Sequence, residues 1–187
     1  MMDIKQTIEK IKSNIFLIPE ARFDELTKDV SYKESFIYLV ACLALSLPII
    51  FFENLMSYKS AYFLGLSNPF FGSLFFSIFS NLFSIPIFYI FLGIQHTLLK
   101  LLGGKANFLK STQVFIYGGT SGLVLGSLPL IGLIFSLVSL SNIVFGAKRV
   151  HNISLLKAIL ALIIIPVLIV TIILIFILQF IPMGYTR

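Results

Sequence analysis

Residues 111–147, STQVFIYGGTSGLVLGSLPLIGLIFSLVSLSNIVFGA, lie between Lys110 and Lys148 and carry no charge over 37 positions. One helix of that length would measure about 55 Å, nearly twice a hydrocarbon core of about 30 Å. The Ser127-Leu128-Pro129 step divides the stretch, because proline has no N–H with which to continue a helix. The reading is two spans, 111–127 and 129–146. Parity follows from it. The basic residues on either side share one side of a membrane if the stretch crosses twice or not at all, and a shallow re-entrant hairpin is the alternative to two crossings.

Working outward, a fifth span over 155–181 is almost purely aliphatic, interrupted by Pro166 and closed by Pro182. Upstream, Asn68 as cap and Pro69 in the first turn open a helix over 69–99, with Pro86 predicting a kink. The first span, 35–52, has 18 uncharged residues between Glu34 and Glu53, about 27 Å of helix. Ser31 and Glu34 have the spacing of a capping box at its start. The sequence therefore predicts an all-α integral membrane bundle of five transmembrane helices over 35–182. A cytosolic segment, 1–34, precedes it, and a short tail, 183–187, follows on the outside.

Composition agrees. The chain is 58% apolar and 12% charged, against roughly 45–50% and 25% for soluble domains. Residues 1–53 hold six Lys/Arg and all eight Asp/Glu, whereas residues 54–187 hold eight Lys/Arg and no acid. These cations stand in small groups between uncharged runs, which is not the footprint of a nucleic-acid partner. With the N-terminus inside, 12 of the 14 Lys/Arg lie inside, including Lys100, Lys105, Lys110, Lys148, Arg149 and Lys157; Lys59 and Arg187 lie outside. That is a strong positive-inside bias. The polar start reads as no cleaved signal peptide.

Within the first 18 residues, Ile4, Ile8, Ile11 and Ile15 recur at helical spacing among charged residues. The stripe reads as lying on the membrane surface or on the protein's own loops, with a seam for a protein partner as the alternative. Gly118, Gly122 and Gly126 form a tandem GxxxG, and Gly132, Ser136, Ser139 and Gly146 offer a matching small face; intramolecular packing is the expectation and a homodimer seam the alternative. By the same logic Gly122 should accept a leucine less readily than Gly104 in its loop. Ser73, Ser77, Ser80, Asn81 and Ser84 share one face of the second span, as interhelical hydrogen-bonding groups or as the wall of a polar pathway.

The chemistry-bearing residues are sparse. Cys42 reads as a packing thiol within an apolar run. His96 near a span end and His151 in a loop are far apart in sequence and assemble no metal site. No nucleophile has an evident base and orienter. The expectation is no cofactor, no metal and no catalysis.

Three stretches carry a family resemblance: Leu101-Leu-Gly-Gly-Lys-Ala-Asn-Phe-Leu-Lys-Ser-Thr-Gln-Val-Phe-Ile-Tyr117, Leu128-Pro-Leu-Ile-Gly132, and Gly146-Ala-Lys-Arg-Val-His-Asn-Ile-Ser-Leu-Leu-Lys-Ala158. With Pro19 and Phe23 upstream, they resemble the Yip family (Ypt/Rab-interacting membrane proteins) over about residues 17–170. The resemblance implies a five-helix bundle with a cytosolic N-terminus. The Asp-Leu-Tyr-Gly-Pro type motif of eukaryotic members is absent, so the chain looks more like prokaryotic members, and Rab binding is not carried over. A prokaryotic cell membrane is expected rather than Golgi or ER. The expected role is a non-catalytic membrane scaffold or adaptor; a channel, permease or lipid scramblase using the second span is the alternative.

Overall fold

The computed structural model describes residues 4–57 and 68–180. Lys59, Pro182 and the tail 183–187 with Arg187 lie outside the described residues. The order is α1 (Ile4–Asn14), α2 (Arg22–Leu26), α3 (Tyr32–Ser57), α4 (Pro69–Leu101), α5 (Phe108–Gly118), α6 (Thr120–Leu125), α7 (Ile131–His151) and α8 (Leu155–Ile159). A π-helical stretch, Leu160–Ile164, then leads into α9 (Ile165–Phe180). Four of these stretches are long and apolar enough to cross a membrane: Tyr32–Met56, Pro69–Leu101, Ile131–His151 and Leu155–Ile177.

Local chemistry sets the helix ends. Ser31 and Glu34 exchange capping bonds, the Glu34 N–H donating to Ser31 Oγ (3.2 Å) and the Ser31 N–H to Glu34 Oε2 (3.1 Å). Asn68 accepts from the Phe70 N–H at 2.9 Å, with Pro69 in the first turn. α4 and α7 both close with Schellman motifs. In α4, Gly103 takes φ 95°, and the Gly104 N–H reaches back to the Leu99 carbonyl (2.8 Å). In α7, Asn152 takes φ 53°, and the Ile153 N–H reaches the Lys148 carbonyl (3.1 Å). The π-helical stretch sits where Pro166 leaves the Leu162 carbonyl without its regular N–H donor.

Two boundaries differ from expectation for physical reasons. The segment 111–127 is not one helix; α5 and α6 are separated at Gly119. Adjacent glycines weaken the helix there, and the Ser139 hydroxyl intrudes from α7. It donates to the Gly118 carbonyl (3.3 Å) and accepts from the Gly122 N–H (3.2 Å), the pair that would otherwise bond to each other. The following helix starts at Ile131 rather than 129, because Leu130 (φ 62°) forms a tight turn in which the Ile131 N–H reaches the Pro129 carbonyl. It then runs on to His151, which is the last helical residue and not part of a loop.

α5 and α6 are the centre of the bundle. Every residue from 111 to 121 is buried, and α1, α3 and α7 pack on both pieces, with α2 and α4 on α5. α4 and α9 lie at the periphery and expose phenylalanines and aliphatics along most of their length, surface that only an apolar surrounding can satisfy.

The close approach of α5 and α7 leads to a test. A Cβ on Gly118 would meet the Ile143 backbone nitrogen at 3.1 Å, whereas one on Gly93 in α4 would meet nothing within 4 Å among the described residues. Gly118→Leu should lower the detergent melting temperature by the equivalent of about 1–3 kcal/mol or more. Gly93→Leu should leave it nearly unchanged.

Candidate functional site

The N-terminal segment is built into one end of the bundle. Ile11, Ile18, Phe23 and Leu26 are buried, and Ile15 is half-buried against the core. Asn142, in the middle of α7, clasps the turn between α1 and α2. Its Nδ2 donates to the Phe16 carbonyl (3.0 Å) and its Oδ1 accepts from the Ile18 N–H (2.9 Å). One turn further, Gly146 makes room for Phe23, whose ring would lie 2.7 Å from any Cβ there. At the end of α7, Lys148 Nζ pairs with both oxygens of Glu20 at 2.9 Å. Arg149 grips Asp24 through Nη2 (2.6 Å) and Nε (3.0 Å). Gln113 of α5 donates to the Val30 carbonyl (2.8 Å).

A buried hydrogen-bond chain ties α1 to the centre. Asn14 Nδ2 donates to the Tyr38 hydroxyl (3.1 Å), which lies 2.9 Å from Thr120 Oγ1. Thr120 in turn donates to the Tyr117 carbonyl (2.8 Å). The Lys10 amine sits 4.1 Å from the centre of the Tyr117 ring, a cation–π contact. Its partial burial pushes the amine below its ordinary value, with Glu34 pulling the other way.

Beside this platform the two histidines converge. Ser111 Oγ lies 2.7 Å from His96 Nδ1 and 2.8 Å from His151 Nε2, and the rings are 5.9 Å apart. A hydroxyl has one proton, so it can donate to only one imidazole and must accept an N–H from the other. His151 is fully buried and its Nδ1 has no partner among the described residues. An unmet lone pair is less costly than an unmet N–H. The favoured arrangement therefore has His151 Nε2–H donating to Ser111 and the Ser111 hydroxyl donating to His96 Nδ1. The Lys105 N–H bonds to the His151 carbonyl (3.1 Å), and a Cβ on Gly104 would meet His151 Nδ1 at 2.5 Å. Gly104 is thus not an open loop position: it has no more room for a leucine than Gly122, whose Cβ would meet Ser139 Oγ at 2.9 Å. Two stretches that carry the family resemblance, 101–117 and 146–158, meet at this node.

The other sequence-marked residues are placed as follows. Ile4 begins α1 and Ile8 is exposed. Gly118 and Gly122 face α7 of the same chain, and a side chain on Gly132 would run into the Gly126 carbonyl. Ser139 is buried, while Ser136 is exposed. Along α4, Ser73 and Ser77 are buried, Asn54 of α3 donates to Ser77 Oγ (3.0 Å), and Asn81 faces a groove against α3. The Ser77, Ser80 and Ser84 hydroxyls each donate to carbonyls of their own helix (2.7, 3.1 and 2.7 Å). Cys42 is a buried free thiol. Of the six basic-loop residues, Lys148 and Arg149 are paired, while Lys100, Lys105, Lys110 and Lys157 have no carboxylate within 4.0 Å among the described residues. Asn142, Asn14, Tyr38 and the His96–Ser111–His151 node escaped sequence reasoning; one signal was available for Asn142, which lies three and four residues from Ser139 and Gly146 on one helical face.

Fold and surface together define a multi-span helical membrane protein whose N-terminal segment folds onto its own helices. Residues 13–178 match the Yip1 domain, and the chain belongs to that family. It matches no curated protein and no solved structure.

Asn142→Ala would strip partners from the Phe16 carbonyl and the Ile18 N–H, at about 1–3 kcal/mol for the buried N–H and less for the carbonyl of the exposed Phe16. Proteolysis within residues 13–22 should accelerate markedly while the melting of the helical bundle shifts less. The Asp24–Arg149 pair gives a pH test. The Arg149 hydrogen bond holds the Asp24 carboxyl below its ordinary 3.8, so its contribution is present above 3.8 and is lost as pH falls through the depressed value. Both partners are about half exposed, so Asp24→Asn should cost only a small, salt-sensitive part of the stability near neutrality. In denaturation curves, that difference from wild type should shrink progressively below pH 3.8.

Proposed function

We propose that this Yip1-domain protein is a non-catalytic membrane scaffold, with five crossings and a folded platform at the inner face that recruits a cytosolic protein partner. The observation that carries the reading is the docking of residues 8–30 onto α5 and α7 through the Asn142 clasp, Phe23 and two cross-element ion pairs. Such a segment presents a defined outward surface, including exposed Ile8, Phe16 and Leu17, rather than a free helix. Part of the isoleucine stripe is spent on self-docking, since Ile11 is 1% exposed, so the partner reads the outward face.

Five crossings are supported by length. Residues 108–126 rise about 28 Å at 1.5 Å per residue even with the break at Gly119, comparable to the hydrocarbon core. The 12 to 2 distribution of Lys/Arg supports an inside N-terminus, and a prokaryotic cell membrane is the setting of this reading. The glycine seam is engaged within the chain, which supports packing rather than dimerisation. Against a transport pathway, the Ser77, Ser80 and Ser84 hydroxyls turn back onto their own helix and offer no continuous polar wall.

Two measurements test this. In a Cys42→Ala background, Lys59→Cys should react with impermeant maleimide added outside, and Lys105→Cys should not; labelling of Lys105→Cys would overturn the topology. For the role, partner capture with intact protein and with a form lacking residues 2–18 is paired with lipid and solute flux in liposomes. Capture that depends on residues 2–18, without flux, is the expected result. Flux that disappears in Ser80→Ala/Asn81→Ala, with no partner that depends on residues 2–18, would replace the scaffold by a permease or scramblase.

A further inference from the structure

A second feature of the platform points to a small ligand. Between α2 and the neighbouring ends of α5 and α7 lies an open cleft of about 180 Å³, lined by Asp24, Thr27, Lys28, Lys110, Arg149 and Val150. Its charge is unbalanced: three cations face one carboxylate. Asp24 is already engaged by Arg149 through Nε and Nη2, so it offsets one charge only. Lys28 and Lys110 have no carboxylate within 4.0 Å among the described residues. Arg149 Nη1 donates no hydrogen bond among the described residues and remains available.

This arrangement selects by charge and geometry. A net charge of +2 in a cleft of this size suits a compact dianion better than a single carboxylate. A phosphomonoester carries about −1.5 to −2 near neutral pH and presents three acceptor oxygens. Two lysines supply point charges that adapt to those oxygens, and the guanidinium adds a fixed donor. Asp24 occupies Arg149 Nε and Nη2 and repels any anion approaching that side of the guanidinium, so the two lysines lining the cleft carry most of the attraction. The three cations come from three places: the residues just after α2, the first turn of α5, and the last turn of α7. An anion held by all three would fasten the N-terminal segment to the bundle.

We propose that this cleft binds the phosphate group of a phosphomonoester and that occupancy strengthens the docking of the N-terminal segment. The phosphate could come from a soluble phosphomonoester or from the headgroup of a lipid such as phosphatidic acid. The site is independent of which partner the platform recruits.

The test uses the full chain in neutral detergent at constant ionic strength. Inorganic phosphate is titrated against chloride, and phosphatidic acid in mixed micelles is compared with phosphatidylcholine. Thermal melting and the rate of proteolysis within residues 13–30 are read together. Lys28→Gln/Lys110→Gln removes the two unpaired cations, and Lys5→Gln/Lys105→Gln removes the same charge away from the cleft. The four lysines are exposed, so both variants should fold, and their melting without added anion checks this. The expected result is a saturable rise in melting temperature and a several-fold slowing of proteolysis, lost in Lys28→Gln/Lys110→Gln and kept in Lys5→Gln/Lys105→Gln. A response to both inorganic phosphate and phosphatidic acid supports a site for the phosphate group from either source. A response to phosphatidic acid alone, with the same variant pattern, supports it as a headgroup site. No saturable response, or one that both double variants lose or keep equally, would overturn the proposal.

Discussion

The rest of the structure depends on the absence of side chains between α5–α6 and α7. Without a hydrophobic drive between helices in lipid, packing energy comes from backbones close enough for dispersion and direct polar contact. Gly118 and Gly122 allow that approach, since a Cβ on either would lie within about 3 Å of α7 atoms. The Ser139 hydroxyl uses the space to bridge the Gly118 carbonyl and the Gly122 N–H. Ser121 adds a bond to the Phe135 carbonyl at 3.0 Å. The break at Gly119 is the structural consequence of admitting a neighbour's hydroxyl into the helix ladder.

Once α7 is held there, the same face of it organises the end of the bundle. Reading along α7, Ser139 meets the central helix, Asn142 clasps the turn before α2, Gly146 receives Phe23, and Lys148 and Arg149 pair with Glu20 and Asp24. The cations in its last turn also stand where the helix dipole favours positive charge. The strength of these contacts is unequal. The ion pairs are partly exposed and individually weak, whereas the Asn142 clasp and the Phe23 ring are buried and hold the segment in place. The N-terminal segment is thereby part of the domain's fold, which bears on how a Yip1-domain protein could present it.

The Ser111 node joins the ends of α4, α5 and α7. The Schellman end of α4 places Gly104 against His151, the Lys105 N–H takes the His151 carbonyl, and Ser111 bonds both imidazoles. The Gly-Gly-Lys loop of the resemblance thus has a physical cause. Gly103 is needed for its positive φ and Gly104 for want of space. The histidines act here as buried hydrogen-bonding groups at a three-helix junction.

Much of this was legible in the sequence, because lipid imposes rules that act locally. Runs of uncharged residues marked the membrane helices, and the capping pairs at Ser31 and Asn68 marked two starts. The glycine stripe pointed to close packing, and the loop motifs pointed to the family, all from residues near one another in the chain. What the sequence could not supply were contacts across 40 to 126 positions: Ser111 with His151, Tyr38 with Thr120, and Asn142 with Phe16. A polar residue in an apolar helix announces that it needs a partner but not which one. Period and composition describe one helix at a time, and only the packed arrangement of helices decided that the two distant histidines share a serine and that Ile11 and Ile15 of the isoleucine stripe pack inside the protein itself.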